Sequence, residues 1–306
     1  METTPEAVVT SLNHRGLVYK DRGELDCAIR EFDRAIQVKP EWFSPYNNRG
    51  LVYGEKGELV RAIDDFNQAI RLKPEDEAAF TNRGAAYLSE NQPDRALQDF
   101  DQALALNPRS AEAYNGRGDA FAHMGDLDRA LRDYGQAIRL KPEYADAHFN
   151  RGLACLRLRD FDAAIAEFSE VIRRRPDFAG AFNARGAALN AKGDHQRAIT
   201  DYDQAIRLRP TYAEAFYNRG LAVYSRGEHG RAMQDFDEAI RLKPDNPEAL
   251  NIRGGLYLEQ GQLDRAIQDF DEAIRLRPGY ASAQHNRTLA WALKAQHERA
   301  LPAPNR

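Results

Sequence analysis

Apolar residues along the chain fall in short blocks at helical spacing. From Leu25 through Ala28, Ile29, Phe32 and Ala35 to Ile36 the steps are three, one, three, three and one, which lays one apolar stripe along an amphipathic helix. The preceding block, Leu12, Gly16 and Tyr19, marks one face of an earlier helix. Gly23 lies between the two and is free to close that first helix in the left-handed conformation. Pro40 ends the second helix. Upstream, Thr4-Pro5-Glu6 reads as a helix start, with a hydroxyl cap, a proline in the first helical position and a carboxylate in the first turn. The pattern therefore predicts a short helix, a tight turn, a second helix and a proline.

This plan recurs every 34 residues without insertion or deletion. The dipeptide Arg15-Gly16 returns at Arg49-Gly50, Arg83-Gly84, Arg117-Gly118, Arg151-Gly152, Arg185-Gly186, Arg219-Gly220 and Arg253-Gly254, and Arg287 keeps the beat with Thr288 in place of glycine. Ala28, the aromatic at Phe32 and Pro40 return in every unit. Gly23 is matched by Gly57, Asn91, Gly125, Gly193, Gly227 and Gly261, and Arg159 departs from the column. A period of this length signals a stacked array rather than one globular core. One continuous all-α solenoid is expected: a lead at 1–8, units at 9–42, 43–76, 77–110, 111–144, 145–178, 179–212, 213–246 and 247–280, and a capping helix with a short tail at 281–306. In that last segment Ala300 still keeps the alanine beat, but Pro302 and Pro304 cut off a full second helix. Glycine inside a helix costs about 1 kcal/mol relative to alanine. The Gly16 column therefore needs an offset, and close contact with the second helix, with Ala28 and Phe32 at the junction, would supply it.

Composition narrows the function classes. The formal net charge is -4 with 29% charged residues, which gives no general basic footprint for nucleic acid. No apolar run approaches the roughly 20 residues of a membrane span. The first residues lack the basic and apolar regions of a signal peptide, so a cytoplasmic location is the expectation. Cys27 and Cys155 fall at different points of different repeats, which supports neither a disulfide framework nor a metal site. The seven histidines show no metal-ligand spacing, and no phosphate-binding glycine loop occurs. Neither catalysis nor a cofactor is expected.

The columns Leu12/Tyr46/Phe80, Gly16, Tyr19, Ala28, Phe32, Ala35 and Pro40 in a 34-residue unit resemble the tetratricopeptide repeat family, over residues 9 to 292. The resemblance implies antiparallel helix pairs stacked in a right-handed α–α superhelix. First helices would line a concave groove, in which the family mostly binds peptides or protein segments, without activity of its own. One column departs from the family. Where leucine usually precedes the glycine this chain has arginine throughout, and its second helices carry an acid at Glu31, Asp65, Asp99, Asp133, Glu167, Asp201, Asp235 and Asp269. Such fixed register predicts a ladder of charge-assisted arginine–carboxylate bonds that sets repeat stacking.

Carried over column by column, the groove-facing positions are rich in asparagine: Asn13, Asn47, Asn115, Asn183 and Asn251 in one column, and Asn48, Asn82, Asn150, Asn218 and Asn286 in the next. An amide side chain both donates and accepts, so this ladder is a candidate to hold the backbone of an extended peptide; the alternative is that it bonds the neighbouring helix. Leu17, Leu51, Leu153 and Leu221 face the same side, and Phe149, Tyr217 and Tyr224 add aromatic area. In the variant of the family that clamps a terminal carboxylate these columns carry lysine and arginine, and here the equivalent sites hold Asn13, Asn47 and Ala78. Glu112, Asp119, Asp146, Glu214, Glu248 and Glu259 instead make the groove mildly acidic, which favours a neutral or basic segment. On the second helices, Arg71, Arg139, Arg173, Arg207, Arg241 and Arg275 are expected to complement the negative helix ends, among Asp33, Asp101, Asp203 and Asp237. The expected function is a protein-interaction scaffold whose partner is another protein or peptide segment, without membrane insertion and with a homo-oligomer left open. The alternative is an RNA-binding helical array, which would need a basic groove and a base-reading code; the acidic-to-neutral groove disfavours it.

Overall fold

The computed structural model describes residues 4–300, so Pro302 and Pro304 lie outside the described residues. The chain divides into two compact units, 1–158 and 159–306. The first holds α1 (Pro5–Asp21), α2 (Leu25–Val38), α3 (Phe43–Glu55), α4 (Leu59–Leu72), α5 (Glu77–Ser89), α6 (Pro93–Leu106), α7 (Ala111–His123), α8 (Leu127–Leu140) and α9 (Ala145–Arg157). The second holds α10 (Phe161–Arg174), α11 (Ala179–Ala191), α12 (His195–Leu208), α13 (Ala213–Ser225), α14 (His229–Leu242), α15 (Pro247–Glu259), α16 (Leu263–Leu276) and α17 (Ala281–Ala300). No strand occurs among the described residues.

In the first unit α1 packs on α2, α3 on α4, α5 on α6 and α7 on α8, and each second helix packs on the next first helix. First helices also touch one another, α1 on α3, α3 on α5, α5 on α7 and α7 on α9, so they line one side of the unit. The second unit repeats this, with α11 against α12 and α13, α13 against α14, and α15 against α16 and α17. The sequence signals behave as their chemistry requires. Thr4 accepts from the Ala7 N–H at the start of α1, with Pro5 in the first turn. Gly23 closes that helix at φ 73°.

Arg159 is a departure from the sequence expectation. It breaks the glycine column yet sits at φ 62°, as Asn91 does at 56°. The turn thus keeps the left-handed backbone on a residue that bears a Cβ, at roughly 1–2 kcal/mol. The C-terminal segment also follows a packing rule. Ala295 occupies the glycine column, so nothing opens a turn and α17 runs on as one helix to Ala300, against α15 and α16.

The core is a row of equivalent contacts. The alanines of the Ala28 column and the aromatics of the Phe32 column are all buried. A Cβ added at Gly50 would meet the Phe66 ring at 2.7 Å, one at Gly118 the Tyr134 ring at 2.6 Å, and one at Gly220 the Phe236 ring at 2.9 Å. The bare glycine backbone is thus the bed on which the second-helix ring lies, and this contact offsets the poor helix propensity of glycine. Gly254 and Gly255 in α15 separate the two effects. A Cβ at Gly254 would strike the Phe270 ring at 2.7 Å, whereas nothing lies within 4 Å of one at Gly255. In urea unfolding, Gly254→Ala should cost about 1–3 kcal/mol through overpacking. Its neighbour Gly255→Ala should instead stabilise by about 0.5–1 kcal/mol.

Candidate functional site

The arginine column joins consecutive repeats. Arg253 donates from Nε and Nη2 to Asp269 in its own repeat, both at 2.8 Å, and from Nη1 to Asp237 of the preceding repeat, also at 2.8 Å. Arg49 is held in the same way by Asp65 and Asp33, Arg117 by Asp133 and Asp101, and Arg219 by Asp235 and Asp203. Arg83 and Arg185 use Asn67 and Ser169 as the backward acceptor, and Arg287 reaches back to Asp271. The aspartates of the Asp65 column are buried, and first-helix rings such as Tyr46 and Tyr53 lie 5.7–5.8 Å from the Arg49 guanidinium. Asp33, Asp101, Asp203 and Asp237 therefore serve this ladder. The second-helix cations lie in the last turns of their helices, as expected, and bond within those turns, Arg241 to Glu238 and Arg275 to Glu272.

The asparagines pair with each other. Asn48 donates to Asn13 at 3.0 Å, Asn82 to Asn47 at 3.0 Å, Asn150 to Asn115 at 3.2 Å, Asn218 to Asn183 at 3.1 Å and Asn286 to Asn251 at 3.1 Å. Each bond links first helices of adjacent repeats. Asn115 and Asn183 are buried, and Asn183 also donates to Glu214 and to the Tyr212 hydroxyl. The sequence carries a signal for this pairing. Where Thr81, Phe149 or Tyr217 replaces the accepting asparagine, the position 35 residues later is Gly116, Ala184 or Ile252 rather than asparagine. Donor and acceptor are present or absent together.

The remaining candidates divide between core and surface. Leu51 packs partly buried against the cluster around Phe66 and Tyr87. Leu221 and Tyr217 pack against the cluster around Phe236, Tyr217 tilted at 6.1 Å from that ring. Phe149 is half-buried. Tyr224 stacks on His229 at 4.9 Å, and its hydroxyl donates to Glu259. Leu153 is exposed and lines a cleft. Most of the groove carboxylates have partners: Lys141 holds Glu112 at 3.0 Å, Arg277 holds Glu248 at 2.5 Å and His229 meets Glu259 at 2.9 Å.

The cleft lies on the first-helix side of the first unit, has a volume of about 940 Å³, and forms where the asparagine pairing is interrupted by Thr81 and Gly116. Asn82 and Asn150 line it, as do Tyr134, Tyr144 and Leu153. Within it Asp119 accepts from the Tyr134 hydroxyl at 2.7 Å and lies 3.5 Å from the Asn115 amide. Burial pushes the Asp119 carboxyl up to about 6, against the opposing pull of the Tyr134 bond and of His123. No lysine or arginine among the described residues pairs with Asp119.

Profiles described as TPR repeat match residues 16–57 and 186–227, and profiles described as tetratricopeptide repeat match 44–76, 84–150, 124–177 and 217–281. The chain belongs to the tetratricopeptide repeat family. Among solved structures, a chain of the APC/C hetero-tetramer Cut9–Hcn1 aligns with a TM-score of 0.71 at 19% identity, over 87% of this TPR chain and 52% of that one. This chain thus spans about half the length of that relative. A tetratricopeptide repeat protein from Parabacteroides merdae aligns with a TM-score of 0.61 at 20% identity, covering 81% and 98% of the two chains. Both likenesses establish the fold alone. YrrB, described as a TPR protein with an unusual peptide-binding site, aligns with a TM-score of 0.52 at 26% identity, covering 61% of this chain and 97% of its own. No similar protein was found among curated sequences.

Two measurements probe the charges of this TPR array. Asp65 is buried and Asp33, on the same guanidinium, is 42% exposed at its side chain. Asp65→Ala strands a half-buried arginine and should cost about 3–5 kcal/mol, whereas Asp33→Ala should cost about 1 kcal/mol or less, both read by urea unfolding. Asp119 titrates with the opposite sign to a salt-bridged carboxylate. Its pKa is raised from 3.8 to about 6 in the folded chain, so its stabilising contribution is complete below pH 3.8 and is lost as the pH rises through 6. Asp119→Asn should therefore melt higher than wild type at pH 7.5, with the difference closing towards pH 4.

Proposed function

We propose that this TPR chain is a protein-interaction scaffold that binds an extended segment of another protein along the first-helix side, with the cleft of the first unit as its main seat. The observation that carries this reading is the cleft itself, a recess of about 940 Å³ lined by amides, tyrosines and exposed Leu153. Asn82 and Asn150 each donate one N–H to the preceding asparagine and keep a second N–H and the side-chain carbonyl. Asn82 and Asn150 can thus hold a peptide backbone while staying paired. The mixture of apolar floor and a few convergent polar groups is the usual make-up of a binding recess. The description of YrrB as a peptide-binding TPR protein supports the same class of ligand. The acidic residues and the net charge of -4 favour a neutral or basic segment over nucleic acid.

The test is selection of phage-displayed random dodecapeptides on the full chain, followed by anisotropy titration of the best synthetic peptide. Wild type should bind it, and Leu153→Glu, a change at an exposed position, should weaken binding at least about tenfold, or 1.4 kcal/mol, with the melting temperature unchanged. Failure to enrich any peptide, or binding indifferent to Leu153→Glu, would reject the cleft as the seat. Salt-dependent retention of single-stranded RNA in a shift assay would favour the RNA-binding alternative.

A further inference from the structure

We propose that the cleft of the first unit contains a subsite for one lysine or arginine side chain of the bound segment, with the Asp119 carboxylate as its counter-charge. This rests on the peptide-scaffold reading above and adds the chemistry of the ligand. Three independent features meet at this point. Asp119 stands in the first-helix column otherwise filled by Leu17, Leu51, Ala85, Leu153, Ala187, Leu221, Gly255 and Leu289, where it is the single charge in the column. Its bond partner is also unusual for its column, because Tyr134 puts a hydroxyl where six of the eight repeats carry phenylalanine. The third feature is room. Thr81 and Gly116 replace the asparagine pair, so no amide bridge crosses the groove here; the Phe100 ring takes the place of a Gly116 side chain and lines the cleft beside the carboxylate.

The electrostatics leave this carboxylate under-compensated. A half-buried carboxylate whose bonds come from neutral donors gains from a cation that can reach it in the same recess. The surrounding groups do not supply that cation as a bond. From α7, Glu112 is held by Lys141 and His123 lies exposed at the rim. From α8 comes Tyr134. From α9, Arg157 donates to the Ala122 carbonyl at 2.7 Å, Tyr144 precedes the helix, and exposed Asp146 adds negative charge that raises the affinity of Asp119 for a proton. The groups reaching in from α5 and α6, Thr81, Asn82, Ser89 and Phe100, are uncharged. A lysine or arginine, with a long apolar stem to lie along Leu153 and a charged head to reach Asp119, matches this arrangement. Protonation competes with that head for the same oxygen. With the carboxyl at about 6, recognition of the basic side chain is strong at pH 7.5 and fades through pH 6.

The experiment uses the full chain and the dodecapeptide selection at pH 7.5. Enriched sequences should share a basic residue at one register position. For a synthetic peptide of that sequence, affinity should fall on the order of tenfold between pH 7.5 and pH 5.0, following the ionised fraction of Asp119. It should fall by a similar factor when the peptide lysine is replaced by norleucine or when Asp119→Asn is used, and neither of these pairs should retain the pH dependence. Tyr134→Phe removes the donor to the carboxylate and installs the commoner residue of its column, so the midpoint of the pH profile should move upward. Should Asp119→Asn fail to fold, the norleucine peptide and the wild-type pH profile decide the matter. Enriched peptides without a shared basic position, or a basic position indifferent to pH and to Asp119→Asn, would overturn the subsite and leave the scaffold reading standing. Enrichment of no peptide at all would overturn both.

Discussion

The fold depends on an aromatic ring resting on bare glycine backbone. In each helix pair with this contact the second-helix ring occupies the volume a Cβ would need, 2.6–2.9 Å from that hypothetical atom at Gly50, Gly84, Gly118, Gly186, Gly220 and Gly254. The contact sets the separation of the two helices, and the buried Ala28-column methyl groups let the rest of the interface close around it. Because interiors pack at crystal-like density, such a contact tolerates neither a missing ring nor an added methyl. The apolar stripe of the second helices is what drives burial; the glycine decides where the helices stop approaching.

The arginine immediately before each glycine turns that local geometry into an array. The acid 16 residues later belongs to the same repeat and the acceptor 16 residues earlier to the preceding one. One planar guanidinium therefore reads the position of two second helices at once. Its five fixed donors suit a bidentate carboxylate plus a third acceptor in a way that a lysine ammonium does not. The inner acids are buried and the outer ones half-exposed, so the stabilising and the register-setting parts of the interaction fall on different residues. The net stability of such buried pairs is small against apolar replacements, and their contribution here is mainly geometric.

The helix pairs and the arginine–acid register were legible in the sequence, because each is a column repeated at a fixed period and each column has one physical reading. Arg159 shows the limit of that logic: the column suggested an exception, but the turn keeps the left-handed backbone on a residue that does not favour it. The side chains of the candidate site were harder. Asparagine is competent both to hold a ligand and to bond a neighbour, and residue type alone does not choose. The pairing was encoded in a relation between two columns, Thr81 with Gly116, Phe149 with Ala184 and Tyr217 with Ile252, which a reading of one column at a time does not reveal. The second-helix arginines lie in the last turns of their helices, as expected, but Asp33, Asp101, Asp203 and Asp237 bond the first-helix arginines. An aspartate near two arginines in sequence can serve either; Asp203 takes the third donor of an Arg219 already held in place by Asp235.

A repeat array that satisfies every column has a uniform surface, so specificity must come from positions where a column is broken. The breaks are not equivalent. Tyr217 with Ile252 replaces an amide pair by bulk, and both side chains pack against the cluster around Phe236, so that interruption is filled. Thr81 with Gly116 replaces an amide pair by two small residues; the Phe100 ring lies against the Gly116 backbone, and all three line the cleft. Asp119 and Tyr134 depart from their own columns beside that same space and bond each other. Random drift would scatter such departures along the chain; four of them around one recess place the distinctive chemistry of the first unit at a single point, where burial makes a carboxylate receptive to either a proton or a cation. The regular columns thus build the scaffold, and the irregular ones mark the place at which it is able to discriminate between ligands.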